Sequence, residues 1–121
     1  MSLQGTERFP KTARLRKRAE FLNLSRVGSK DQSANFVVIS KSNEQDETRL
    51  GITVSGKVGN SVVRNRIKRQ VREFFRRRRG ALPRGLDFLV IARKGAAVLI
   101  GNAVADELEH VLTQRRNRRK S

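Results

Sequence analysis

The chain has 121 residues, enough for one domain around a single modest core and too short for a second of ordinary size. Lys and Arg number 28 against 11 Asp and Glu, a formal net charge of +17, and such self-repulsion costs stability unless a polyanion is the normal partner. Cysteine is absent, which excludes disulfides, zinc–thiolate sites and thiol catalysis, and the longest apolar runs, Phe88 to Ala92 and Ala96 to Ile100, fall far below the roughly 18 residues that span a bilayer.

Residues 1–13 are polar, contain Gly5 and Pro10, and show no period, so a disordered N-terminal tail is expected. They lack the cationic start and apolar stretch of a signal peptide, and a cytoplasmic location is expected. Residues 14–115 read as one α+β domain, and 116–121 as a frayed basic tail. A short helix is predicted over Arg18 to Val27, closed by Gly28, with Phe21 its only aromatic. Ala34 to Lys41 alternates, with Phe36 and Val38 on one face and Asn35, Val37 and Ile39 on the other, as in a strand apolar on both sides. The polar stretch Ser42 to Thr48 is a loop leading to a second strand, Arg49 to Ser55, and a hairpin is the simplest pairing of the two.

After Lys57-Val58-Gly59 comes the longest helical pattern. Val63, Ile67, Val71 and Phe74, widened by Phe75, form an apolar stripe at three- and four-residue spacing. The opposite surface carries Lys68, Arg72, Asn65, Arg76, Arg69 and Arg66, with Arg64 on the border. Asn60 or Ser61 can cap the start, Gly80 suits a left-handed residue after the end, and Pro83 prevents continuation. Like charges four apart repel, so an anionic partner would relieve this face; the helix dipole accounts for part of the cationic bias towards its C-terminal half. Leu86 to Arg93 holds Phe88, Leu89, Val90 and Ile91 in succession, the pattern of a strand buried on both faces. Gly95 to Ile100 has no clear preference, and from Asn102 a last helix aligns Val104, Leu108, Val111 and Leu112. The order α-β-β-α-β-α predicts a two-layer sandwich of helices on a mixed sheet, with a βαβ unit whose crossover would ordinarily be right-handed.

Little here can do covalent chemistry. His110 has no partner His or Cys in sequence, Asp106, Glu107 and Glu109 read as the polar face of the last helix, and Glu44, Asp46 and Glu47 read as a solvated turn. Gly56 and Gly59 match neither a Walker loop nor a dinucleotide fingerprint. RNA binding is better provided for. Arg64-Asn65-Arg66 combines guanidinium forks for phosphate with an amide for base edges or ribose hydroxyls. Phe21 with Val37 and Ile39 is either an apolar floor for a single strand or ordinary core packing.

At Gly59-Asn60-Ser61-Val62-Val63-Arg64-Asn65-Arg66-Ile67-Lys68-Arg69 the chain resembles the protein subunit of bacterial ribonuclease P. The likeness extends through Arg14-Leu15, Glu20-Phe21, Phe36-Val37-Val38, Arg49 to Ser55 and Asp87 to Lys94, covering about Arg14 to Arg115. In that family a catalytic RNA removes the 5′ leader of precursor tRNA, with Mg2+ held by RNA and substrate phosphates and no catalytic residue on the protein. The resemblance implies that Arg64, Asn65, Arg66, Lys68, Arg69 and Arg72 meet the catalytic RNA. It assigns Phe21, Val37, Ile39 and Lys57 to a cleft for the leader, and it implies a left-handed βαβ crossover like that of a ribosomal-protein and elongation factor G type domain. Ser25 stands where many relatives carry a second cleft aromatic and Ile39 where some carry Tyr, which weakens base stacking there. Neither a membrane nor an obligate protein partner is expected. The rivals are a ribosomal or general RNA-binding protein and, more distantly, a metal nuclease acting alone.

Overall fold

The computed structural model describes residues 18–78 and 80–120, without the side chains of Arg18, Phe21 and 116–120; the predicted N-terminal tail lies outside the described residues. In chain order the elements are α1 (Arg18–Val27), β1 (Ser29–Gln32), β2 (Phe36–Ser42), β3 (Arg49–Val54), α2 (Ser61–Arg77), β4 (Leu86–Ala92), a 3-10 turn (Lys94–Val98) and α3 (Ala103–Lys120). The strands form one sheet in the order β1-β2-β4-β3.

The predicted hairpin between β2 and β3 does not form. β4 lies between them, antiparallel to β2 and parallel to β3. The reason is visible in β4 itself: Leu86 to Val90 are all buried, and a strand apolar on both faces belongs where both edges are paired. β1 was not expected from the sequence. Ser-Lys-Asp-Gln carries no apolar alternation, and it holds an outer position against β2, where charged residues also discourage pairing with other chains.

Strand alternation divides the interior in two. Phe36, Val38, Leu50, Val54, Phe88 and Val90 face α2 and α3, which contribute Ile67, Val71, Phe74, Phe75, Val104, Leu108 and Val111. Phe75 anchors this core, edge-on to Phe74 at 5.2 Å and tilted against Phe88 at 5.5 Å. The opposite face pairs Ile39 and Leu89 with Leu24 of α1, so helices cover both sides and the predicted two-layer arrangement describes only the larger core. Gly28 permits this approach of α1: a Cβ there would stand 2.4 Å from Ile39 Cγ2 and 2.8 Å from the Leu24 carbonyl oxygen. Ion pairs hold the other end of α1. Arg49 donates to Glu20 at 2.9 Å and through Nε and Nη2 to both oxygens of Asp87, at 2.9 and 2.8 Å. The Asp87 contact, opposed by burial and reinforced by Glu20, raises the Arg49 pKa, so the guanidinium stays charged throughout.

α3 runs to Lys120, past the predicted start of the frayed tail. Arg115 explains part of the extension: its side chain is buried, donates from Nε to Ser40 Oγ at 2.8 Å and lies over the Phe88 ring. Glu107, expected merely on a polar face, latches α3 to the β1–β2 turn. It accepts from the Ser33 hydroxyl, from Asn35 N–H at 2.7 Å and from Asn35 Nδ2 at 2.8 Å. Burial pushes the Glu107 pKa up, but these donors outweigh it and hold the carboxyl below its ordinary value. A depressed folded-state pKa gives stability present above the unfolded value and lost as pH falls through the folded one. Glu107→Gln is therefore expected to cost about 1–3 kcal/mol at neutral pH and to flatten the decline in melting temperature on acidification; equal acid slopes in both proteins would contradict the latch.

Candidate RNA-binding surfaces

The basic helix is fixed at both ends by local chemistry. Asn60, rather than Ser61, is its N-cap, the Asn60 side chain accepting from Val63 N–H at 3.0 Å. At the other end Gly80 does not adopt the expected left-handed backbone. The helix stops at Arg77, Arg78 N–H bonds the Phe75 carbonyl at 3.2 Å, and Ala81 and Leu82 close on the Arg78 carbonyl.

Burial sorts the predicted basic face into three parts. Asn65, Arg69 and Arg72 point outward and are exposed. Arg64 and Lys68 are half-buried on one flank. Arg66, half-buried on the other, is not a free surface cation: its Nη2 donates to the Ala97 carbonyl at 2.7 Å, tying α2 to the 3-10 turn. Nothing in the residue pattern signals this bond, because a guanidinium reaching a backbone carbonyl 31 residues away has no local pattern.

Charge balance changes along the helix. No acid occurs between Ser61 and Arg72, and Arg64, Lys68 and Arg69 make no ion pair among the described residues. In the following turns Glu73 pairs with Arg76 and, at 3.3 Å, with Arg77, while Arg78 lies 4.1 Å over the Phe74 ring and donates to Glu109 at 2.6 Å. The N-terminal half of α2 is thus the half whose cations have no acid beside them, although the dipole favours cations at the C-terminal end.

The second candidate surface is the sheet face under α1. Register aligns Val37 of β2, Ile91 of β4 and Thr53 of β3 in one row, all three partly exposed. Ile39 corrects the sequence reading. It is 1% exposed, enclosed by Leu24 and Leu89, and is core rather than floor. Ile91 and Thr53 were missed, because only the register of β2, β4 and β3 sets them beside Val37. Phe21 belongs to α1, but its side chain lies outside the described residues; Ser25 on the same helix is half-buried.

These surfaces meet at one end of the sheet. Phe36, Ala92 and Val54 align at that end, beside the row of Val37, Ile91 and Thr53. From there β3 leads through exposed Lys57 into the start of α2, and β4 leads through exposed Arg93 and Lys94 into the turn that Arg66 grips. An acid-free basic half-helix and a partly open aliphatic strip therefore adjoin.

Other candidates recede. Among the described residues no three His, Cys, Asp or Glu gather as a metal site. Asn43 organises the 44–47 turn instead, accepting from Gln45 N–H and donating to the Glu47 carbonyl and to Asp87. Exposed His110 contacts Gln114 at 3.0 Å. Gly59 packs against Val63 rather than forming a phosphate loop. Among the described residues no helix is long and apolar enough to cross a membrane.

A family model for Ribonuclease P matches residues 9–116. The ribonuclease P protein component of Desulforapulum autotrophicum is 51% identical over 104 residues, covering 86% of this chain and 89% of that protein. The solved ribonuclease P protein of Staphylococcus aureus superposes with a TM-score of 0.82 at 39% identity, over 87% of this chain and 96% of that one. The Thermotoga maritima protein gives 0.76 at 39% identity, over 84% and 96%. With its basic half-helix, its mixed sheet and these relatives in agreement along nearly the whole domain, the chain belongs to the ribonuclease P protein family.

Proposed function

We propose that the chain serves as the protein subunit of the ribonuclease P ribonucleoprotein, holding the catalytic RNA and the 5′ leader of precursor tRNA together for endonucleolytic 5′ maturation. The observation that carries this reading is the junction of the two surfaces at one end of the sheet. Asn65, Arg69 and Arg72 face the catalytic RNA, supported by Arg64 and Lys68, while Arg66 stiffens the turn beside them. The leader runs over Val37, Ile91 and Thr53, flanked by α1, which carries Phe21, and by Lys57, with buried Ile39 in the adjoining row of the same face.

The contribution to catalysis is positional and electrostatic. Cations between two polyanions reduce their repulsion, and two anchored segments align the scissile phosphate, replacing part of the orientation entropy of an encounter between free RNAs. Magnesium, held by RNA and substrate phosphates rather than by this chain, would supply activation of the attacking water. The protein's cations would lower the concentration needed. A cytoplasmic site of action and a left-handed crossover from β3 through α2 to β4 belong to the same proposal, the latter supported by the family resemblance.

Substituting Val37→Asp tests the leader surface. The side chain is partly exposed, so folding should survive, while a carboxylate in the row repels a phosphodiester strand. The reconstituted holoenzyme is expected to lose about tenfold in affinity for precursor tRNA and little for mature tRNA. Equal losses for both would remove the leader from this face.

A further inference from the structure

The flank of α2 that bears Arg66 encloses more than a structural contact. Beyond the Arg66–Ala97 bond, Gln70, Glu73 and Arg77 of α2 and Gly101 and Asn102 before α3 line a cleft of about 200 Å³. Two buried polar atoms on this flank have no hydrogen-bond partner among the described residues: the donor Arg66 Nε and, one turn on, the acceptor Gln70 Oε1. Buried groups are normally satisfied, and a donor and acceptor both left open on one helix flank need explaining. In the chain just ahead of the Gly101–Asn102 wall, Val98 and Ile100 are 78% and 79% exposed, and Val62, one turn before Arg66, is 75% exposed. Bare aliphatic side chains amid so many cations are a second unsatisfied surface.

We propose that this seam between α2 and residues 97–105 receives one unpaired nucleotide of the RNA bound by the basic face. The inference rests on the reading of that face as an RNA surface and specifies what it holds. A nucleobase matches the seam in kind once the two side chains turn outward to meet it: Gln70 offers Oε1 to a ring or amino N–H, Arg66 offers Nε to an acceptor edge, and Val98 or Ile100 offers an apolar contact to the ring face. Its phosphates meet exposed Arg69 and Arg77 at the rim. Size agrees, since about 200 Å³ exceeds the share of one water, about 30 Å³, and falls below the roughly 300–1,000 Å³ of drug-sized ligand pockets. The nucleotide must be unpaired, because a base in an RNA helix has its edge and faces engaged already. Continuity with Arg69 and the net charge of +17 favour RNA over a protein occupant.

Gln70→Leu keeps the volume and removes the open acceptor. In the full-length protein the melting temperature is expected to hold or rise, while filter binding to the ribonuclease P RNA transcript weakens about tenfold. Ile100→Ser, at an exposed site, should weaken binding several-fold without unfolding the chain, and it decides the matter should Gln70→Leu fold poorly. Benzoylphenylalanine at Ile100 should cross-link to a single-stranded nucleotide. Wild-type affinity in folded Gln70→Leu and Ile100→Ser, or a cross-link confined to a base-paired helix, overturns the pocket. If Arg69→Ala still weakens binding in that case, the RNA face survives; if it too binds normally, that reading falls as well.

Discussion

Replacing Arg69 and Arg72 together by Ala should lower affinity for the catalytic RNA by about tenfold to a hundredfold and flatten its dependence on salt. Both side chains are exposed on the outward face of α2, and Arg69 has no ion pair among the described residues, so neither is needed to hold the core. If each neutralises one phosphate, the slope of log affinity against log salt should shrink by about 1.4–1.8, since each contact releases roughly 0.7–0.9 counterion. The melting temperature should barely move, because substitutions of exposed residues usually stay within about 0.5 kcal/mol. Binding measured from low to high salt checks the first two outcomes, and thermal unfolding checks the third. A parallel shift in affinity with no change of slope would mean that the two arginines do not sit on phosphates.

Asp87→Ala is expected to destabilise the protein by about 3–5 kcal/mol, since it removes a buried carboxylate and leaves the half-buried Arg49 and Asn43 without their anion. Asp87 accepts from Arg49 twice and from Asn43 Nδ2 at 2.8 Å, while Arg49 in turn holds Glu20 on α1. The network thus clamps the start of α1, the loop after β2 and the first residues of β3 and β4. For a domain of this length the loss amounts to roughly 10–20 °C in melting temperature. Replacing the pair by apolar residues, Arg49→Met with Asp87→Leu, should recover much of that stability, because desolvation of both charges is then avoided. The rescued variant should still lose leader preference: α1, which carries Phe21 next to Glu20, would no longer be tethered over the open face. Denaturation of the variants, followed by substrate binding with the rescued one, separates stability from positioning.

What the sequence revealed followed local rules. The apolar stripe of α2, its start near Asn60 and the doubly buried pattern of β4 are set by neighbours a few residues apart, so they were readable. What it hid is long-range. Choosing β4 over β3 as the partner of β2 depends on competition between segments far apart in the chain, and β1 has too few apolar residues to announce itself. On the candidate surfaces, residue type was easier to read than orientation. Arg66 looked like one more exposed cation until its bond to Ala97 appeared, and Ile39 looked like floor until Leu24 covered it. Ile91 and Thr53 joined the surface only once the register aligned them with Val37. Glu107 and Arg115, one predicted on a polar helix face and the other at the end of the domain, instead bond to the β1–β2 turn and to β2.

The most direct measurement is cleavage of a 5′-labelled precursor tRNA at low magnesium by the protein alone, by the ribonuclease P RNA alone and by the two combined. Correct removal of the leader only by the combination, with magnesium restoring cleavage by the RNA alone, is the expected result. An unchanged magnesium requirement in the presence of the protein would contradict the account, and cleavage by the protein alone would place the chemistry on this chain.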